Sequence, residues 1–196
     1  MRATWTRWRD IWRRLSGRGV YPHELAWLLL LPGRGLFLSA RQLVRELRLR
    51  PEARVLELGP GPGYFSAAVA RAVPKGRLEL VDLQREMLVK SRRRLRRAGV
   101  ANAGFTQARA ERLPFRPASF DAAFLVAVLG EVGDQSECLA AIAHALRPGG
   151  TLLVAELPGD PDALSESGVR RLAGAAGLEF LSATHLRGGF TARFCR

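Results

Sequence analysis

The chain has 196 residues, is 47% hydrophobic and 25% charged, and carries a net charge of +13, which fits one soluble globular domain with a proper core. Its two cysteines, Cys138 and Cys195, lie far apart and its three histidines show no ligand spacing, so neither a disulfide framework nor a metal site is expected and a reducing, cytoplasmic setting is the default. The apolar run 25–31 is too short for a bilayer span of about 20 residues, and the charge lies in the first half: +8 in residues 1–50, +6 in 51–100, −1 in 101–150 and 0 in 151–196.

Residues 1–50 read as an N-terminal helical extension, ahead of a main domain at 51–196. Trp5, Trp8 and Trp12 recur at helical spacing, Ile11 and Leu15 continue the stripe, and Arg7, Arg9, Arg13 and Arg14 fill much of the rest. That pattern suits a helix lying on a membrane surface, and equally a bracket docked on the domain, where large aromatics bury well. A second helix opens with Pro22 at a first-turn position and closes at Pro32-Gly33. A third is expected over 37–48, with Leu38, Leu43, Val44 and Leu47 apolar, and Pro51 marks the boundary before the first strand.

The main domain is organised around the stretch 54–66. The run Val55-Leu56-Glu57-Leu58 breaks at Gly59, Gly61 and Gly63 and becomes a small-residue helical pattern over 65–72. Strand, glycine turn and helix open a nucleotide-type α/β fold, with the backbone free of Cβ atoms at the turn and the helix's positive end aimed at the same spot. The gaps between the glycines narrow the ligand. A dinucleotide fingerprint cradles pyrophosphate on successive backbone N–H groups, but Pro60 and Pro62 have none to give. A nucleoside bearing one carboxylate suits the loop better, and Glu57 can pair with an ammonium group. Those three groups together describe S-adenosylmethionine.

A second strand over 77–82 ends in Asp82, 23 residues past Gly59, where an acid accepts hydrogen bonds from two ribose hydroxyls; Leu83 would then lie against the adenine. The helix over 86–98 buries Met87, Leu88 and Leu95 and carries Arg92, Arg93, Arg94, Arg96 and Arg97. These arginines suit phosphate contacts or a solvated face, and no aromatic residue interleaves them as in a single-strand binder. A short third strand covers 105–107. A fourth over 122–128 is apolar enough for a central parallel strand. Glu131 stands just beyond its carboxyl end, where ligands sit, either as a proton acceptor for the substrate's nucleophile or as a helix-starting acid. A helix over 137–146, a turn at Arg147-Pro148-Gly149-Gly150 and a fifth strand over 151–156 come next, with Glu156 a second acid near the site. A helix over 166–176 and two strands, 179–185 and 190–195, joined by a tight hairpin at Gly188-Gly189, complete the pattern.

The segment from Val55 to Gly63 resembles motif I of the class I S-adenosylmethionine-dependent methyltransferases. The runs from Ala108 to Phe115 and from Leu146 to Gly150 resemble later motifs of their small-molecule type 11 branch. The resemblance covers residues 40–196. It implies a Rossmann-like seven-stranded mixed sheet with helices on both faces and an antiparallel last strand. It implies cofactor contacts from Glu57, Gly59, Pro60, Gly61, Gly63 and Tyr64 at the first motif, from Asp82 and Leu83 at the second strand, and from Arg109, Ala110 and Val126 further on. Arg109 departs from the pattern, standing where the family has an acid. It cannot accept a hydrogen bond from the adenine amino group, though it can stack on the ring, and the Ala110 N–H can still serve. Because helices ahead of the first strand cover the substrate pocket in this family, Tyr21, His23 and Trp27 become candidate substrate contacts; packing and capping are their alternative roles.

The expected function is in-line methyl transfer from S-adenosylmethionine to a small-molecule or lipid-like acceptor, chemistry that needs positioning and no nucleophilic side chain of the enzyme. No Ser/His/Asp or Cys/His arrangement appears, nor the Asn-Pro-Pro-Tyr motif of amino methylation. Two alternatives stand beside it: a non-catalytic binding protein on the same fold, suggested by Arg109, and a nucleic-acid methyltransferase drawing on the basic half. Peripheral membrane contact through residues 1–16 is the expected alternative to a wholly cytoplasmic protein.

Overall fold

The computed structural model describes residues 37–196; the stretch 1–16 and Tyr21, His23 and Trp27 lie outside the described residues. Strands and helices nearly alternate: α1 (Ala40–Leu47), β1 (Arg54–Leu58), α2 (Ser66–Ala72), β2 (Arg77–Asp82), α3 (Arg85–Arg97), β3 (Ala103–Gln107), β4 (Phe120–Val126), a 3₁₀ turn (Leu129–Glu131), α4 (Gln135–Ala145), β5 (Leu146–Glu156), α5 (Glu166–Ala175), β6 (Glu179–Leu186) and β7 (Gly189–Cys195). The strands form one sheet in the order β3-β2-β1-β4-β5-β7-β6. β1 to β5 pair in parallel, whereas β7 runs antiparallel to both β5 and β6. The chain winds outward from β1 to β3 and then returns to β4, so the order reverses between β1 and β4. Ligands of open α/β sheets bind beyond the strand ends at such a reversal.

The pleat divides the core into two layers. Leu56, Leu58, Leu125, Leu152 and Val154 meet Cys138, Leu139 and Ile142 of α4 and Val169 and Ala173 of α5. The alternate residues Val55, Leu78, Leu80, Phe124 and Leu153 meet Leu43 and Leu47 of α1, Val69 of α2 and Leu88 and Leu95 of α3. Central strands covered on both sides need near-continuous apolar runs, which is why β4 reads Phe-Asp-Ala-Ala-Phe-Leu-Val. Phe124 is 1% exposed, and complete burial of such a side chain contributes about 1.5–3 kcal/mol. No helix among the described residues is long and apolar enough to cross a membrane.

The ends of several elements differ from the sequence pattern, each for a local reason. The third helix begins at Ala40, because the Ser39 hydroxyl accepts the Gln42 N–H at 3.1 Å as an N-cap, and it stops where Arg48 turns left-handed at φ 49°. Its buried Leu43 and Leu47 place it in the same layer as α2 and α3, so packing continues across the boundary at 50/51. Strand β4 ends at Val126 and not at 128, since Ala127 also turns left-handed, at φ 53°. Strand β5 starts at Leu146 instead of 151: Gly149 N–H donates to Arg196 O at 2.8 Å and Arg196 N–H to Gly150 O at 2.9 Å, stitching the Pro-Gly-Gly segment to the chain end. The hairpin turns at Arg187-Gly188. Gly189 is already in β7, where a Cβ would come within 2.2 Å of Glu156 O.

Candidate active site

The carboxyl ends of β1, β2, β4 and β5 form one edge. At β1 the chain leaves the strand through Gly59, Gly61 and Gly63, all at positive φ: 60°, 53° and 81°. Gly59 is required twice over, because a Cβ there would also fall 2.5 Å from Val128 Cγ2. Few of the loop's donors are free. Gly59 N–H donates to Val81 O at 2.8 Å and Gly63 N–H to Pro60 O at 2.9 Å, the Gly61 N–H is near enough to the Asp82 carboxylate to favour its ionised form, and Pro60 and Pro62 have no N–H. A diphosphate would find at most the Gly61 N–H free between 59 and 63. Helix α2 begins at Ser66, one residue later than the pattern suggested, and has only seven residues, so the loop rather than a helix terminus shapes this end of the site.

Glu57 lies beneath the loop, 3% exposed, with its Oε2 lacking any hydrogen-bond partner and the buried Ser66 Oγ beside it likewise unsatisfied. Burial, more than the nearby Asp82 charge, pushes its carboxyl up to about 8; the Ser66 hydroxyl works the other way without the geometry of a full hydrogen bond. An orphaned buried carboxylate fits an ammonium partner. Asp82 is 8% exposed, and burial pushes its carboxyl up to about 6 against the N–H groups of Gln84, Gly61 and Leu83; the Gln84 bond is 2.8 Å. A carboxylate offers about four lone-pair positions, and the Gln84 bond takes one of them, so positions remain for ribose hydroxyls. Leu83 is 43% exposed at the rim, an apolar face next to Asp82. Tyr64 is half-buried, edge-on to Phe65 with ring centroids 4.7 Å apart.

Arg109 and Ala110 follow β3, whose last residue Gln107 lies level with Asp82 in the sheet. The Arg109 guanidinium does not lie free to cover a ring. It donates to Glu111 Oε1 at 3.0 Å. Burial tends to raise the Glu111 carboxyl, but the backbone N–H groups of Glu111 and Asp134, together with Arg109, outweigh it and hold it below the usual range. Glu111 is thus the partner that the sequence pattern did not bring out. A cation two residues before an acid was the available signal.

The β4–β5 side of the edge is acidic. Val126, only 7% exposed, offers a ligand little surface. Val128 packs on Gly59 and leads into the 3₁₀ turn that ends in Glu131. A Cβ on Gly130 would lie 1.9 Å from Asp162 O, so this turn packs directly under the segment 157–165. Glu156 is 2% exposed and neither oxygen has a hydrogen-bond partner. Burial first, then the charge of Asp160, pushes its carboxyl up to about 8, with Glu131 adding to the rise; the Leu164 N–H opposes this from outside hydrogen-bond geometry. The structure therefore brings Glu57, the glycine loop, Asp82 and Leu83 into one cluster and Glu131, Glu156 and Asp160 into another. Among the described residues no group of three His, Cys, Asp or Glu is placed to hold a metal ion.

Comparison with known proteins bears on the domain that carries these residues. Residues 55–150 match the family model described as a methyltransferase domain. Over 109 residues the chain is 40% identical to the ubiquinone/menaquinone biosynthesis C-methyltransferase UbiE of Vibrio cholerae, a match covering 55% of this chain and 42% of that protein. The chain thus spans less than half the length of that relative. Among solved structures, a SAM-dependent methyltransferase from Aquifex aeolicus superposes with a TM-score of 0.83 at 18% identity, covering 89% of this chain and 98% of that one. The [4+2]-cyclase SpnF superposes with a TM-score of 0.68 at 24% identity, covering 74% and 59% respectively. At these identities the superpositions speak for the fold.

Proposed function

We propose that the chain is a class I S-adenosylmethionine-dependent methyltransferase that transfers a methyl group to a small or lipid-like acceptor, at a ring carbon of a quinol-type molecule, a reading supported by the match of residues 55–150 to a methyltransferase domain. One observation carries the cofactor reading: in loop 59–63 the N–H groups of Gly59 and Gly63 are engaged within the protein, the two prolines have none, and two buried carboxylates lie beside the loop. Such a site wants a cation and a hydroxyl donor and disfavours a diphosphate. Glu57 would hold the ammonium group, Asp82 a ribose hydroxyl, Leu83 one face of the adenine, and the Ala110 N–H its edge. Bound there, the cofactor supplies an electrophilic methyl group on a sulfonium.

The acceptor reading draws on the Vibrio relative, a quinone-pathway C-methyltransferase by name. A ring carbon becomes nucleophilic when its neighbouring hydroxyl loses a proton, so the chain must supply a base. Glu131 is our candidate, with buried Glu156 behind it; a Glu156 carboxyl near 8 keeps its own proton at neutral pH and leaves Glu131 as the acceptor. The test is calorimetric titration with S-adenosylmethionine, followed by labelled methyl transfer to a panel of quinols and phenols. Absence of binding at millimolar cofactor would sink the reading. Binding with label only on oxygen or nitrogen would keep the enzyme and discard the carbon acceptor. A second reading, a cofactor-binding protein that releases no methyl group, is favoured by the Arg109–Glu111 pair at the adenine side; binding without transfer to any acceptor would select it.

A further inference from the structure

The positive charge of the domain is concentrated on one helix. Residues 37–196 contain 24 Lys and Arg against 16 Asp and Glu, and α3 alone contains seven against one. Outside α3 the described residues are nearly balanced, 17 against 15. A general preference for positive charge within residues 37–196 would have spread the excess over many elements; it did not. Helix α3 buries Met87, Leu88, Ser91 and Leu95, which sets the rest of its surface outward. Arg85, Arg92, Arg93, Arg96 and Arg97 are exposed there, and no ion pair among the described residues reaches any of them. Val89, 38% exposed, lies on the same stripe, four residues after Arg85 and three and four before Arg92 and Arg93, so it neighbours both turns of arginine. Leu83, 43% exposed, precedes the helix at the ligand edge.

We propose that the outer face of α3 docks the domain on an anionic phospholipid bilayer, with its first turn, three residues beyond Asp82, bringing the ligand edge close to the lipid. Two features favour lipid over nucleic acid. An apolar side chain inside a cationic face gains contact with acyl chains and nothing from a phosphate backbone. The face also offers no ring for base stacking, because the nearby Phe105 is covered by the Arg92 guanidinium, 4.8 Å from its centroid. The proposal stands on this helix alone and does not depend on which acceptor is methylated.

The test uses the full chain in flotation with vesicles of phosphatidylcholine alone and with about one third phosphatidylglycerol, at low and high salt. Each arginine held near an anionic surface is worth about fivefold in partitioning. The R85Q/R93Q/R96Q/R97Q variant should therefore bind the anionic vesicles roughly 600-fold more weakly, while the charge-matched R41Q/R45Q/R171Q/R187Q variant should lose only a few-fold. Replacing the same four α3 positions with Lys should retain binding, and R93Q/R97Q alone should show an intermediate loss if the fourfold variant does not fold. Equal losses in the α3 and control variants would overturn the proposal, as would wild-type protein that ignores anionic vesicles or prefers a double-stranded oligonucleotide to them.

Discussion

The two halves of the ligand edge use the same material differently. On the β1–β2 side, Glu57 and Asp82 share the sheet face covered by α1, α2 and α3, since they alternate with Leu56, Leu58 and Val81 of the other layer. On the β4–β5 side, Glu156 alternates with Leu153 and Ala155 and belongs with the layer of α4 and α5. Both halves contain a carboxylate pushed up to about 8. Yet Glu57 is raised chiefly by burial, with an unsatisfied oxygen next to an unsatisfied serine, whereas Glu156 has two further acids, Asp160 and Glu131, adding to its rise. A buried carboxylate with a single acidic neighbour, Asp82, and an unsatisfied oxygen is a socket for a cation. A cluster of acids is a place where one proton is shared. On the proposed function, the first half would bind the cofactor and the second would handle the acceptor's proton.

That division breaks or survives first on kinetics. Glu131→Gln and Glu156→Gln should lower kcat by roughly 10²–10⁴, the usual reach of general base catalysis, and leave cofactor affinity within about threefold. Single-turnover rates alongside calorimetric Kd values would check this. A variant that lost affinity and kept its rate would exchange the roles of the two halves.

The next effect is on stability and pH. Both Glu57 and Glu156 go from about 4.5 when unfolded to about 8 when folded. The folded state then holds more protons, so the stability present below pH 4.5 is lost as pH rises towards 8. At pH 7 each site costs on the order of 3 kcal/mol. Glu57→Gln and Glu156→Gln should each raise Tm at pH 7–8 and leave it unchanged near pH 4. Cofactor separates the two. An ammonium group beside Glu57 would draw its proton off, so binding should release close to one proton at pH 7, read from binding heats in buffers of different ionisation enthalpy. Glu57→Gln should abolish that release, and Glu156→Gln should not.

The cofactor half was largely legible in the sequence because backbone chemistry dictates it. Positive φ at 59, 61 and 63 calls for glycine, and proline removes donors, so both leave a mark in the residue types. The seven-stranded mixed sheet and its antiparallel last strand followed from motifs resembling a known family, whereas the strand order came from the structure. The acceptor half left less trace. Ala127 turns left-handed at φ 53°, yet alanine has no preference for that region and gave no warning. Gly130 is explained only by Asp162 O, brought over it by the segment after β5. Burial of Glu156 depends on the same segment. Glu111 matches the family pattern at its own position, and what the sequence did not bring out is its ion pair with Arg109.

Within the cofactor half, Asp82→Ala is the sharper cut. It removes an acceptor for ribose and also the carboxylate that the Gly61 N–H approaches. Cofactor affinity should fall by about 1.5–3 kcal/mol, the scale of hydrogen bonds to a charged group. Unchanged affinity would refute the ribose role.

Arg109 carries the smallest effect and the finest distinction. Its side chain is 60% exposed, and its ion pair with Glu111 is of the surface kind that contributes about 0–1 kcal/mol, so changing it should not cost the fold. Arg109→Asp would place an acceptor where the adenine amino group needs one, a gain of about 0.5–1.5 kcal/mol, partly offset by the neighbouring Glu111 carboxylate. Arg109→Ala supplies no acceptor and removes any stacking. If the arginine is only Glu111's partner, Asp should tighten cofactor binding by about three- to tenfold, more so at high salt, where the two carboxylates repel less, and Ala should change it little. If both variants bind more weakly, the guanidinium leaves Glu111 to stack on the adenine, and the departure from the family pattern is itself a cofactor contact.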